Sequence, residues 1–499
     1  MLSLLIYVPL LPAVVMLAWR GMPLRAVRWT WVATALLEVV LAGTIWVAYA
    51  GGGSSDRIGF EVDADWIPGA GVGYHLGVDG LSMPLIMLTV IVFAACAIYA
   101  LREDRAVRPF AALFLALETV SIGLFAALDL IVFFVFFDLS LVGMYFVIAG
   151  WGHGEAARRS AFKFFLYTFL GSLALLVGFI GLYVASDPHT FDMVELTAQM
   201  PLAGNALGGG LVLAAIALGF AIKTPTVPFH TWLPAAHTDA PAVGSAVLAG
   251  VMLKMGTYGF IRIAMVMLPD AWRRWAWVFI VIGVVSVLYG ALVALAQTSF
   301  KRMVAYTSVN HMGYILLAIG AAGLISGSDE EARALAVTGA VTQMVSHGLI
   351  TAALFLVAGV LLDRTGTYEM DALGGLAKPV PRLAGITAVA AFASLGLPGF
   401  SGFIAEFQIF AGSLGPAPWA TAVALLGILI TAALFLAALH RIFLGPTDKK
   451  FSAMTDTTRV ETLAIVPLLA LSVLIGLFPR VLLDIVEPAS RMAVQLVAR

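Results

Sequence analysis

Charge is what this sequence has least of. Lys, Arg, Asp and Glu make up 11% of its 499 residues, against roughly 25% in an average soluble domain. Hydrophobic residues reach 61% and mean hydropathy is +1.00, which excludes a soluble globular fold. A formal net charge of -1 removes the bulk electrostatic case for nucleic acid or another polyanion. Cysteine is nearly missing too. Cys96 stands alone, so an internal disulfide and any cysteine-based zinc or iron-sulphur site in this chain are ruled out. No HExxH spacing, flavin motif or glycine-rich phosphate loop after a strand is present, so no resident metal or nucleotide is expected.

What is plentiful is long apolar runs. A spanning helix needs about 20 apolar residues. About fourteen such runs open near Leu2, Trp29, Leu81, Phe110, Leu130, Phe162, Leu211, Pro241, Trp275, Met303, Ala334, Leu383, Thr421 and Thr462. The expected class is an all-α polytopic membrane protein. The first run has no basic residue before it and is followed by Arg20, Arg25 and Arg28, the reverse of a secretory signal, so it reads as a retained helix.

Basic residues gather in the odd-numbered connections, among them Arg102, Arg105, Arg158, Arg159, Lys301, Arg302, Lys449 and Lys450. Acids such as Asp56, Glu61, Asp63 and Asp65 collect in the even ones, where Arg57 and the terminal Arg499 are among the few cations. By the positive-inside rule the odd connections are cytoplasmic and both termini face outward. Lys301, Arg158 and Arg159, at cytoplasmic helix starts, read as solvated anchors. An Ala- and Gly-rich composition points to a bacterial plasma membrane.

Two runs carry helix breakers: Lys223-Thr-Pro225-Thr-Val-Pro228 near the end of the seventh and Gly396-Leu-Pro398-Gly399-Phe-Ser-Gly402 in the middle of the twelfth. Such stretches leave backbone groups free at membrane depth, tolerated only beside protein or water. The broken helices are five apart, which predicts two five-helix units, and an odd number of crossings makes their copies inverted. Paired breaks in inverted halves point to a transport site. The expected layout is three helices in 1–108 with an outer loop at 51–80, the first repeat in 109–268, the second in 269–443, and a cytoplasmic loop with a fourteenth helix in 444–499.

Ionisable residues stand out against this background. A charge at the bilayer centre costs roughly 2.5 to 3.5 kcal/mol on insertion scales, and Lys223, Lys254, Asp138 and Glu406 all lie deep in apolar runs. Asp138 follows Phe133-Phe-Val-Phe-Phe and must find a cation or a proton, Lys223 being the nearest cation by topology. A static pair that fixes helix packing is the plainer alternative. Lys254 lies too far from either interface to snorkel easily and reads as a relay, or as a support for the broken seventh helix. His237, His311 and His347 lie along the same path, as does His230, each a relay or a hydrogen-bonded packing residue. Glu118 precedes Asp138 by twenty residues and is a further candidate for the path or for contact with a neighbouring subunit. Glu38 is similarly placed.

Several strings resemble a known family. Tyr74-His-Leu-Gly-Val-Asp-Gly-Leu-Ser-Met83, Ala221 to His237, Lys301-Arg-Met-Val-Ala-Tyr-Thr-Ser-Val-Asn-His-Met-Gly313 and Gly396 to Phe407 are similar to the antiporter-like membrane subunits of proton-pumping NADH:quinone oxidoreductase, respiratory complex I. The resemblance covers about residues 70 to 445. It is closest to the M-type subunit, because no long lateral helix follows the fourteenth run and Glu406 stands where L-type, N-type and Mrp antiporter chains usually carry lysine.

The resemblance implies that Asp138 takes the place of a fifth-helix glutamate, Lys223 of the seventh-helix lysine, Lys254 of the central eighth-helix lysine and Glu406 of the terminal glutamate. Aspartate is one methylene shorter than glutamate, so a water is expected between Asp138 and Lys223. Gly143 replaces a common proline, which gives that helix freedom to adjust.

The resemblance also implies that FMN, iron-sulphur clusters and quinone belong to partner subunits. L-type and N-type neighbours and the lipid bilayer are the expected surroundings. Two other classes are weighed: an Mrp-type sodium/proton antiporter subunit, disfavoured by Glu406, and a passive anchor, which has no use for paired lysines and carboxylates.

Overall fold

Apolar runs interrupted at Pro, Gly and short polar connections fold as expected into a helical bundle. The computed structural model describes residues 1–52, 58–325 and 329–498, so Asp56, Arg57 and Arg499 from the charge pattern lie outside the described residues. The first run is two helices, α1 (Leu2–Tyr7) and α2 (Leu10–Ala18), parted at Pro9. Then come α3 (Leu24–Gly51), α4 (Met83–Tyr99), α5 (Val107–Ala126), α6 (Leu130–Trp151) and α7 (Ala157–Ala185). A short α8 (Met193–Gln199) precedes α9 (Ala206–Lys223). Among the described residues, eleven helical segments are long and apolar enough to cross a membrane.

Both expected breaks are present. After Lys223 the chain leaves the helix over 224–232 and resumes as the short α10 (Leu233–Asp239). The next run is helical throughout but uneven: α11 (Ala242–Val247) and α12 (Leu253–Gly259) are each followed by a π-helical stretch, Leu248–Met252 and Phe260–Met265. α13 (Pro269–Leu295) and α14 (Phe300–Ala322) lead to α15 (Glu330–Thr365), which is nearly buried among helices of both halves of the chain. α16 (Pro381–Ser394) and α17 (Ser401–Leu414) are parted by the second break, where Gly396 and Gly399 take φ of 68° and 98°. α18 (Pro418–Phe443) and α19 (Arg459–Leu477) follow.

Three features depart from the sequence reading. A further helix, α20 (Arg480–Ala498), lies beyond the last apolar run and packs against α15; its alternation of Arg480, Asp484, Glu487 and Arg491 with apolar residues hid it from a hydropathy scan. The connection after α3 contains strands, which the sequence reading left unassigned. β1 (Gly59–Val62) pairs antiparallel with β4 (Leu76–Val78), and β2 (Asp65–Ile67) with β3 (Val72–Gly73). Gly143 also does not loosen α6, which runs unbroken. A methyl there would lie 2.5 Å from Leu117 Cδ2, so the glycine lets α5 and α6 approach closely.

The connections before α4 and before α8 are tied by His75. One ring nitrogen bonds Asp192, the N-cap of α8, and the other bonds Glu61 at 2.8 Å. Burial opposes the imidazolium, but the Asp192 and Glu61 bonds outweigh it and raise His75 to about 9. A raised folded value means that this latch contributes fully below the unfolded value near 6.5 and is lost as pH climbs through about 9. Amide exchange of residues 58–79 in detergent is therefore expected to be slow at pH 7 and to accelerate beyond the intrinsic rate above pH 9; His75→Gln exchanges fast at both. Equal protection of both proteins at pH 7 would remove the latch.

Candidate functional site

Asp138 and Lys223 face one another across the α6–α9 packing, but not as an ion pair. Lys223, the last residue of α9 and 1% exposed, donates to Ser140 Oγ at 3.0 Å and stands 4.8 Å from the centre of the Phe137 ring. Asp138 is half-buried, its Oδ1 is without a hydrogen-bond partner, and Ser172 and Lys223 are the polar groups acting on its carboxylate. The short aspartate thus leaves the ammonium to a serine two residues further along α6. Ser140 was not singled out in the sequence, where only its spacing from Asp138 could have signalled it.

Lys254 sits in α12, between the two π-helical stretches of the uneven eighth run, wholly buried. Its Nζ reaches back five residues to the carbonyl of Ala249, at 2.5 Å in the π turn, and donates to His347 Nδ1 at 2.7 Å. A π turn widens the helix and turns a carbonyl aside, which gives the ammonium an acceptor that a regular α-helix withholds. With Nδ1 accepting, the ring hydrogen of His347 lies on Nε2, which has no partner. No hydrogen bond joins Lys223 to Lys254. The two helices do cross tightly beside them, because a methyl at Gly256 would meet Thr224 Oγ1 at 2.4 Å.

From His347 the line continues. The His347 and His311 rings meet edge to face, 5.2 Å apart. Both line a narrow cavity with Ser346, Ser394, Gln343 and Glu406, of about 10 Å³, which is the room one water molecule needs. Glu406, 7% exposed on α17, tucks its carboxylate against Gly396 in the second break. Ser346, Ser401 and Ser472 form an unforeseen buried hydroxyl chain from this cavity to α19, with O-O distances of 2.8 and 2.7 Å, the kind of interhelical bond that fixes membrane bundles.

The remaining sequence candidates fall in three places. His237, on α10, stacks on Phe355 at 4.5 Å with both ring nitrogens unpartnered. His230 rests edge-on against Tyr289 outside this line. Glu118 is set apart as well: its carboxylate is fully buried in α5 without a hydrogen bond, and the charge that reaches it is that of Glu38 on α3. Lys301 corrects the reading of it as a solvated anchor. It is fully buried at the start of α14, bonded to the carbonyl of Ala240 at 2.5 Å.

With this geometry in place, the family model for the transmembrane region of NADH:quinone oxidoreductase and Mrp antiporter subunits matches residues 127–431, more than half of the chain and most of the site. The chain belongs to that family. Among its relatives, the F(420)H(2) dehydrogenase subunit M of Methanosarcina mazei is 38% identical over 504 residues, covering 99% of this chain and 98% of the relative. The NADH-quinone oxidoreductase subunit M of Rhodobacter capsulatus is 37% identical over 508 residues, covering 99% and 96%. Among solved structures, a chain of respiratory complex I from Thermus thermophilus with bound NADH superposes with a TM-score of 0.88 at 30% identity, each chain covered in full. A chain of the Mrp complex from Dietzia sp. shares the fold, with a TM-score of 0.85, 23% identity and 100% and 99% coverage. The relatives named subunit M agree with the M-type subtype read from the sequence.

Proposed function

We infer that this chain is the M-type, proton-translocating membrane subunit of an NADH:quinone oxidoreductase, multi-pass in the membrane and without redox chemistry of its own. The family match and the M-type relatives support the assignment. The relay reading rests above all on one arrangement, the close succession of Lys254, His347 and His311 toward the water-sized cavity at Glu406.

In this reading the helices make fourteen crossings with both termini outside, in a bacterial plasma membrane. Residues 109–268 and 269–443 are two inverted five-helix repeats, flanked by 1–108 and 444–499. FMN, iron-sulphur clusters and quinone are held by partner subunits, with L-type and N-type chains as membrane neighbours.

The chain's own residues then work as a charge-gated relay. When the Asp138 carboxylate approaches, it stabilises the Lys223 ammonium; when it is drawn away, the proton moves toward Lys254. Lys254 passes a proton to His347, whose second ring nitrogen can release one toward His311 and the cavity water. Glu406 receives it next to the second break and yields it to the outer face. Each step breaks one N-H or O-H bond and forms another.

The test is proton uptake per NADH oxidised by the whole complex in proteoliposomes. Asp138→Ala and Lys223→Ala are expected to assemble and to lose this chain's share of the proton yield. Asp138→Glu, one methylene longer, is expected to meet Lys223 directly and to keep the yield. An undiminished yield in both alanine variants would defeat the relay.

A further inference from the structure

Lys223 is held by α6, but not by the acid on that helix. Its ammonium has two neighbours there: the Ser140 hydroxyl, to which it donates at 3.0 Å, and the face of the Phe137 ring, whose centre lies 4.8 Å from Nζ. Among the described residues it makes no further hydrogen bond. Ser140 is buried, and its own hydrogen is committed to the Phe137 carbonyl at 2.6 Å. What the hydroxyl offers Lys223 is therefore lone pairs alone. A ring face attracts a cation through its quadrupole, so both halves of this seat suit the charged, proton-loaded lysine.

The seat is built to stay in place. Phe137 stacks on Phe133 at 5.9 Å, and the two rings meet Phe220 edge to face at 6.3 and 6.1 Å. Phe220 belongs to α9, one turn before Lys223. The end of α9 is pinned as well: Trp232 Nε1 donates to the Ile222 carbonyl at 2.9 Å, and the Thr224 N-H to the Phe220 carbonyl at 2.8 Å. What is left to move at Lys223 is its side chain. Asp138 lies on another side of α6, because residues two apart on a helix stand about 200° apart around its axis. The half-buried acid shares its side with the exposed Val142, whereas Phe137 and Ser140 face the interior.

We propose that the two tasks of a counter-ion are divided in this chain: Asp138 supplies charge from a distance, and Ser140, with the Phe137 ring, supplies the position of the Lys223 ammonium. Ser140 is then a positioning residue of the relay. The inference rests on the relay reading above and adds to it a residue outside the row of ionisable groups. When Asp138 is drawn away, the lysine gives up its proton from a place that the seat has already fixed. One Lys223 N-H bond breaks and a bond to the next acceptor forms, while Ser140 neither gains nor loses a proton.

The experiment measures proton uptake per NADH oxidised by the whole complex in proteoliposomes, with Lys223→Ala as the reference for a blocked chain. Ser140→Ala removes the acceptor and keeps the helix, since alanine is the best helix former. It is expected to slow transfer through this chain by roughly ten-fold or more, the weight of one hydrogen bond to a charged group, and to lose most of the chain's share of the yield. A second-site repair separates this from a packing role. Asp138→Glu reaches one methylene further and can place the lysine itself, so combining it with Ser140→Ala is expected to return the yield to that of Asp138→Glu alone. Should Ser140→Ala fail to assemble, Ser140→Cys, whose sulphur is a weak acceptor, is read in its place. Parental yield in Ser140→Ala or Ser140→Cys, with Lys223→Ala still blocked, overturns this proposal alone, as does a loss that Asp138→Glu leaves unrepaired. Parental yield in Lys223→Ala overturns the relay reading and this seat together.

Discussion

Replacing Lys254 by Met is expected to silence this chain while leaving it folded. Two opposed costs set the stability outcome. The change strands the Ala249 carbonyl and His347 Nδ1, and each buried group without a partner costs about 1 to 3 kcal/mol, about 2 to 6 kcal/mol for the pair. Against this, a charge at the bilayer centre is relieved, worth about 2.5 to 3.5 kcal/mol. The two overlap, and a flexible thioether fills the volume well. Thermal melting of the purified complex should therefore shift by only a few degrees. Transfer through the chain has no such compensation: methionine carries no proton, and loss of a positioned proton-transfer group lowers a rate by about 100-fold or more. Intact assembly with parental melting and parental proton yield would mean that protons bypass the central helix.

The second large effect is expected at Gly396, a residue with no chemistry of its own. A methyl there would come within 2.2 Å of Glu406 Oε2, and the backbone sits at φ 68°. A left-handed conformation costs a residue with Cβ roughly 1 to 2 kcal/mol, and the carboxylate, as the free end of a long side chain, is what gives way. Gly396→Ala should thus destabilise the protein modestly and displace Glu406 from the cavity it shares with His311 and His347. Proton yield is expected to fall as far as in Glu406→Gln, by about 100-fold in transfer through the chain. Gly402→Ala is the control for a tight glycine in the same segment that faces the Ala393 carbonyl and not the carboxylate; it is expected to cost stability while pumping continues in the protein that folds. Equal yields in Gly396→Ala and the parent would show that the seat of Glu406 is unimportant.

Much of this was legible in the residues because membrane burial is harsh. Backbone groups must be satisfied within each segment, so apolar runs become helices, and Pro225, Pro228, Gly396 and Gly399 end them where the sequence says. The candidate lysines and acids were visible for the same reason: little else in those runs is polar. What stayed hidden depends on pairing between segments. Nothing in Leu248–Met252 signals a π turn, so the acceptor that Ala249 offers Lys254 came only with the fold. The choice of Ser140 over Asp138 as partner for Lys223 is a matter of one methylene and a helix crossing. Lys301 lies beside an Arg at a helix start, where a position in sequence resembles a solvated anchor, yet α10 and Tyr368 close over it. α20 was missed because an apolar stripe that faces α15 on one side and polar solvent on the other has no long hydrophobic run.

The passage between His347 and Glu406 has room for one water molecule. A sodium ion entering there would have to leave its hydration shell behind, and a space of one water molecule has no room for the cage of oxygens a hard cation needs. A hydrogen nucleus needs only a molecule to hop across. In the relay we propose, width alone therefore sorts the traffic at this point: metal cations are sieved out before any binding preference is consulted, and only protons go on to Glu406.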